Sequence, residues 1–292
     1  MAPSKCNSSE VNSKFLYCGK GASRWLSLCS KHDDPNELSN IQVKNFLASN
    51  INEINFPHKD IQLLVIGCSN LEKEIPYIER LAKKYYISLF AVDFSKELLN
   101  IALVNANKLR LKEFKAIQAD FTSNSFFEKF KEIRNDKVSL FVFFLGYTFC
   151  NYSTSISIQC LNEITIPGDL IVVDVCIRID ASKVTKADLD RSEISLSSHE
   201  RAQFISHGKY SPEKGIHLEA RNTINEDNSL VTDFYLSDNY LACSNGNSTI
   251  KTLTIHKLDY SRLMHTFSKH GYELIDKLQI GSKFVTMLVR RR

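Results

Sequence analysis

Ile61-Gln62-Leu63-Leu64-Val65-Ile66-Gly67-Cys68-Ser69-Asn70 is the stretch that decides the fold. Its apolar run shows almost no alternation and stops at a glycine, the pattern of a short strand covered on both faces. Residues 72–86 then place Ile75, Ile78, Leu81 and Ala82 at helical spacing. The couplet repeats along the chain. Residues 87–92 form a strand ended by Asp93, and Ser95 is the N-cap of a helix through Asn107. Residues 114–119 form a strand ended by Asp120, followed by a helix from Ser123 or Ser125 through Ile133. Residues 138–145 read as a central strand, 153–164 as a helix and 170–175 as a fifth strand. Unalternating strands separated by helices predict a parallel sheet with helices on both faces.

After Arg178 the rhythm breaks. Residues 181–207 are polar and charged, enough for one or two short helices. Residues 216–235 alternate around Asn225-Glu226-Asp227-Asn228, a hairpin turn, and 249–256 alternate again. The first rhythm returns with a helix over 260–270, capped by Gly271, and two strands, 273–279 and 283–289, around Gly281-Ser282. The expected fold class is therefore α/β: a doubly wound, mostly parallel seven-stranded sheet with a terminal antiparallel hairpin, plus an inserted α+β substrate subdomain. Residues 1–12 are expected to be disordered, and 13–180 to hold an N-terminal helical segment and the core. Residues 181–257 make the insertion, which is expected to shape the acceptor pocket, and 258–292 complete the sheet.

Bulk properties exclude several function classes. The 292 residues carry 37 basic and 33 acidic side chains, a mild net charge of +4, and 43% of them are hydrophobic. The basic residues are spread along the sequence apart from Arg290-Arg291-Arg292, so no stretch reads as a nucleic-acid patch. The eight cysteines form no C-x-x-C pair and no histidine cluster has metal spacing, so no metal is expected. The polar start lacks a signal peptide's apolar region, and the longest apolar run is too short for a bilayer. The expectation is a reduced cytoplasmic protein without a membrane partner.

Ligands of open parallel sheets bind beyond the carboxyl ends of the strands. Four successive strands here end in Gly67-Cys68-Ser69-Asn70, Asp93, Asp120-Phe121 and Gly146-Tyr147-Thr148. Gly67 lets backbone approach a ligand. Asp93 follows that loop at about the offset where an acid grips ribose hydroxyls. Asp120 can accept a hydrogen bond from an exocyclic amine, and Phe121 can pack on its ring. A ligand with ribose and adenine follows, and both NAD and S-adenosylmethionine qualify. A pyrophosphate wants G-x-G-x-x-G, whereas this loop has one glycine, which favours S-adenosylmethionine.

Glu72-Lys73, Asp93-Phe94-Ser95, Asp120-Phe121-Thr122 and Leu145-Gly146-Tyr147-Thr148-Phe149-Cys150-Asn151-Tyr152-Ser153 resemble the histidine N-methyltransferase family of the ergothioneine pathway. That family, of the class I S-adenosylmethionine-dependent methyltransferases, has L-G-A-G-S-G-E-K, D-I-S, A-D-Y/F-T and L-G-S-T-I-G-N-F-S at the matching places. Tyr17-Cys18-Gly19-Lys20-Gly21-Ala22-Ser23 is similar to its Y-D-x-R-G-S segment. The resemblance implies S-adenosylmethionine as cofactor, held by Tyr17, Gly67, Cys68, Ser69, Lys73, Asp93, Phe94, Asp120, Phe121 and Gly146. It implies an acceptor held by Tyr147, Thr148, Phe149 and Asn151, with Asn151 matching the family Asn that holds the substrate's amino-acid group.

Two departures stand out. Ser69 replaces an expected second glycine. Leu253 and Ile255 stand where the family reads histidine with a Glu and a Ser, just before His256-Lys257. A charged imidazole finds no carboxylate there, so histidine is not the expected acceptor. The expected activity is N- or O-methylation of a small, amino-containing molecule. Tyr17, Tyr147 and Phe149 are the aromatic candidates facing the sulfonium, and no catalytic base is assigned. The competing readings are a non-catalytic binding protein that keeps the fold, and an NAD-dependent oxidoreductase.

Overall fold

The computed structural model describes residues 9–10, 16–29, 37–178, 205–206, 216–226, 229–238, 249–281 and 284–292. The chain divides into two compact units, 32–179 with 257–292, and 1–31 with 180–256. The N-terminal helix Lys20–Cys29, which the sequence reading attached to the core, therefore counts with the insertion.

The described residues of the larger unit include the strands β1 (Asp60–Ile66), β2 (Tyr86–Asp93), β3 (Glu113–Gln118), β4 (Ser139–Phe144), β5 (Leu170–Arg178), β6 (Tyr272–Ile280) and β7 (Phe284–Arg291). Pairing gives the order β3-β2-β1-β4-β5-β7-β6. The first five strands run parallel, and β7 inserts antiparallel between β5 and β6. This is the doubly wound sheet with a closing hairpin that the apolar runs predict.

Unalternating strands work because both faces are covered. Leu64, Ile66, Phe90, Val92, Val142 and Phe144 enter one apolar layer, while Leu63, Val65, Leu89, Ala91, Phe141 and Phe143 enter the other. Successive side chains thus feed opposite layers. Helices α1 (Glu37–Glu53), α2 (Ile75–Ala82) and α3 (Lys96–Ala106) supply the second layer, through Leu47, Leu81 and Ala102 among others. Helices α4 (Asn124–Ile133), α5 (Thr154–Ile164) and α6 (Tyr260–Lys269) supply the first, through Phe130, Leu161 and Phe267. Ser95 and Ser123 cap α3 and α4 through their hydroxyls.

α2 is shorter than its 72–86 periodicity. Leu71 is left-handed at φ 66°, which breaks any earlier helix, and Pro76 suits the first turn because its missing N–H is unneeded there. Gly271, at φ 79°, turns the chain after α6.

In the smaller unit, Ile216–Ile224 and Leu230–Asp238 pair antiparallel across the expected turn, where the Asn225 N–H donates to the Ser229 carbonyl at 3.0 Å. Ser9–Glu10 pair in parallel with Ile250–Lys251. The short helices expected over 181–207 lie outside the described residues, apart from 205–206. Among the described residues, no helix is long and apolar enough to cross a membrane.

Candidate active site

The loop after β1 is built on left-handed backbone. Gly67, Ser69 and Leu71 have φ of 64°, 47° and 66°. That conformation costs a residue with a Cβ roughly 1–2 kcal/mol, so Ser69 and Leu71 need support. Asp93, at the end of β2, provides it: its carboxylate accepts from the Ser69 N–H at 2.9 Å and from the Ser95 N–H at 2.9 Å. Asn105 of α3 donates to the Asn70 carbonyl at 2.9 Å, and Leu71 is fully buried. Ser69 is thus held in a backbone conformation that glycine adopts without strain.

The loop after β4 comes close to the first. A Cβ on Gly67 would lie 2.8 Å from the Thr148 methyl, so only glycine fits beside that side chain. Lys73 sets its ammonium over Gly146, 3.4 Å from where a Cβ would stand. Gly146 and Tyr147 are left-handed, at φ 72° and 63°, and the Gly146 N–H donates to Asp174 Oδ2 at 3.1 Å. The other Asp174 oxygen accepts from the Thr286 hydroxyl at 2.7 Å. Asp120 lies beside Asp93, since the Ala119 N–H donates to the Asp93 carbonyl at 3.1 Å. One Asp120 oxygen accepts from both the N–H and the hydroxyl of Thr122.

Gly67, Ser69, Lys73, Asp93, Asp120, Gly146 and Thr148 thus gather at four neighbouring strand tips. Cys68 lies there too, but its thiol is buried and its N–H is already bonded to the Val92 carbonyl, so it shapes the loop and offers a ligand neither side chain nor N–H. Phe94 is half-buried. Phe121 is buried edge-on to Phe144 and Tyr152, at 5.5 and 5.2 Å, which makes it core with little face to offer. Phe149 is a correction: its ring is wholly enclosed and stacked on Phe267 at 6.1 Å, so it packs the core and cannot face a ligand. Tyr147 is half-buried against Phe284 at 4.9 Å, and Asn151 is half-buried at the end of a 3-10 turn, Thr148–Asn151. Tyr17 belongs to the smaller unit, edge-on to Trp25 at 5.3 Å.

Two acids escaped the sequence reading. Asp174 interrupts the apolar strand β5, and that interruption was the signal. Glu74 is buried at the start of α2. Burial pushes its carboxyl up to about 7, with Lys73 opposing the shift and Asp174 adding to it. Burial also raises Asp93, against the N–H groups of Ser95 and Ser69, and raises Asp174 against Thr286, Gly146 and Lys73.

The donor set fits a nucleoside with an amino-acid tail. A carboxylate has about four lone-pair sites, so Asp93 retains capacity for a hydroxyl donor after serving the backbone N–H groups of Ser69, Ser95 and Phe94. Lys73 is exposed and cationic beside the loop. Among the described residues, no three metal-ligating side chains gather.

The family described as histidine-specific methyltransferase, SAM-dependent, matches residues 5–196. No curated protein matches the sequence. Among solved structures, the PH0226 protein of Pyrococcus horikoshii is 10% identical, over 89% of this chain and 93% of that one, with a TM-score of 0.46. A SAM-dependent methyltransferase from Methanosarcina mazei is 12% identical, over 81% and 98%, with a TM-score of 0.41. Geranyl diphosphate C-methyltransferase from Streptomyces coelicolor is 7% identical, over 90% and 88%, with a TM-score of 0.47.

Proposed function

The chain belongs to the SAM-dependent histidine-specific methyltransferase family, and we propose that this SAM-dependent methyltransferase acts on a small acceptor other than histidine. The observation that carries the proposal is the apolar cluster of Leu253 and Ile255 with Leu16 and Ile205. It stands where the family resemblance expects a Glu and a Ser. A buried imidazolium needs a charged or hydrogen-bonding partner, and the side chains of Leu253 and Ile255 supply neither.

Bound S-adenosylmethionine supplies an activated methyl group on a sulfonium, which leaves alignment and exclusion of water to the protein. In this reading Asp93 accepts from the ribose hydroxyls and Asp120 from the adenine amine. The N–H groups of Gly67, Cys68 and Ser69 are already bonded to the Val92 carbonyl and to Asp93, so in this reading the loop's carbonyls face the ammonium of the amino-acid tail and Lys73 pairs with its carboxylate. Tyr147, fixed by its left-handed backbone and by Phe284, offers an aromatic face to the sulfonium. Asn151 orients an amino or hydroxyl group of the acceptor.

The test incubates the protein with S-adenosylmethionine and a panel of amines, amino acids and hydroxyl compounds. The demethylated product and the methylated acceptor are read by mass spectrometry. Turnover with an acceptor other than histidine is expected, and histidine as the best acceptor overturns the proposal.

A further inference from the structure

The strands also begin in a row, at the end of the sheet opposite the loops described above. Lys59 precedes β1 and Asp60 opens it, Tyr86 opens β2, and Lys112 precedes β3. The Tyr86 N–H donates to the Lys59 carbonyl at 2.7 Å, and the Lys112 N–H donates to the Ile87 carbonyl at 2.8 Å. Neighbouring strands stand about 4.8 Å apart, so this row spans about 10 Å. Beside it opens a cleft of about 690 Å³, walled by the segments that leave α2 and approach β3.

Five of its ten lining residues are cationic (Lys59, Lys83, Lys84, Arg110 and Lys112), against 37 of 292 in the chain. All five are exposed. The carboxylate in the lining, Asp60, is paired with Lys112 at 2.5 Å. Lys84 donates to the Asn52 carbonyl at 2.6 Å and Lys59 to the Lys84 carbonyl at 3.3 Å. Those bonds fix the two ammonium groups without cancelling their charge. Lys83 and Arg110 form no ion pair among the described residues. Helix-dipole compensation explains Lys83, which sits at the C-cap of α2. It does not explain Lys59 and Lys112 at strand starts. Tyr86, 63% exposed, lies beside these cations, where burying its ring would have been favourable.

We propose that this cleft binds a small ligand carrying linked phosphates, either inorganic or attached to a nucleoside. Four uncompensated positive charges in a concavity concentrate the field and draw a multivalent anion. Lysine ammonium groups and the arginine fork both donate to phosphate oxygens. The exposed Tyr86 face suits a base. The positive surface does not extend along β3, because the next cation, Lys115, is paired with Glu113 at 2.8 Å. A small anion therefore fits better than a long nucleic acid.

Calorimetry with tripolyphosphate and with ATP, at low and at raised salt, tests the site. The full-length chain is compared with the exposed double variant Lys83→Glu, Arg110→Glu and with Tyr86→Ala. Binding of tripolyphosphate that weakens about tenfold or more with salt and in the double variant is expected. S-adenosylhomocysteine binding, measured in the same samples, should be unchanged, which separates failure of this site from failure of the strand-tip site. Selective loss of ATP in Tyr86→Ala identifies a nucleoside-bearing ligand, and equal retention identifies an inorganic one. No binding at low salt, undiminished binding by the double variant, or binding of long duplex DNA alone overturns the proposal.

Discussion

The loop after β1 and the loop after β4 each carry a left-handed glycine, Gly67 and Gly146, and each is tied to a buried aspartate at the neighbouring strand. Asp93 takes the Ser69 N–H, and Asp174 takes the Gly146 N–H. The two acids differ in what else they touch. Asp174 gives its remaining oxygen to Thr286, deep under the loop. Asp93 accepts from the backbone N–H groups of Ser69 and Ser95 and ends its strand at the tip of the sheet. One brace is therefore structural throughout, while the other can fix its loop and also accept from a bound hydroxyl.

The buried acids under these loops make stability depend on pH, and Glu74 is expected to give the largest effect. Its carboxyl titrates near 7 in the folded chain against an ordinary 4.5. The folded state thus holds a proton that the unfolded chain has already lost. The contribution is complete below about pH 4.5 and is lost as pH rises through 7, a difference of about 3 kcal/mol. Urea unfolding at pH 5 and pH 8 should show this loss, with a flatter profile in Glu74→Gln. Asp93 and Asp174 shift in the same direction.

Asp174→Ala comes next. It leaves the Gly146 N–H and the Thr286 hydroxyl without their acceptor, at about 2 kcal/mol of stability. Thermal unfolding reads that loss. S-adenosylhomocysteine should still bind, more weakly, because the strand-tip acids remain. The smallest effect belongs to Ser69→Gly. A glycine relieves the left-handed strain and should raise stability by up to about 1 kcal/mol, with cofactor affinity kept. A destabilised Ser69→Gly variant would show that the serine side chain matters more than the backbone angle.

Much of the larger unit was legible because its strands are apolar on both faces. Runs such as 61–66 and 138–145 admit few other structures, and their ends fall where glycine and aspartate stop them. The strand-tip residues were legible for the same reason. Asp174 was not, because a single acid inside an apolar strand announces burial but not its partners, Gly146 and Thr286, which lie 28 and 112 residues away. Phe149 misled in the opposite sense: beside a candidate loop an aromatic reads as a ligand contact, yet the 3-10 turn rotates it into the core. The left-handed angle at Ser69 leaves no trace in residue type. The basic cleft was equally invisible, since its cations come from three separate segments that meet only when β1, β2 and β3 align.

Titration of S-adenosylhomocysteine into the intact chain and into Asp93→Ala, by calorimetry, tests the strand-tip account most directly. Loss of the charged acceptor should weaken binding by about 1–3 kcal/mol, or roughly five- to 150-fold. Equal affinity in the two proteins, or no binding to the intact chain, would contradict it.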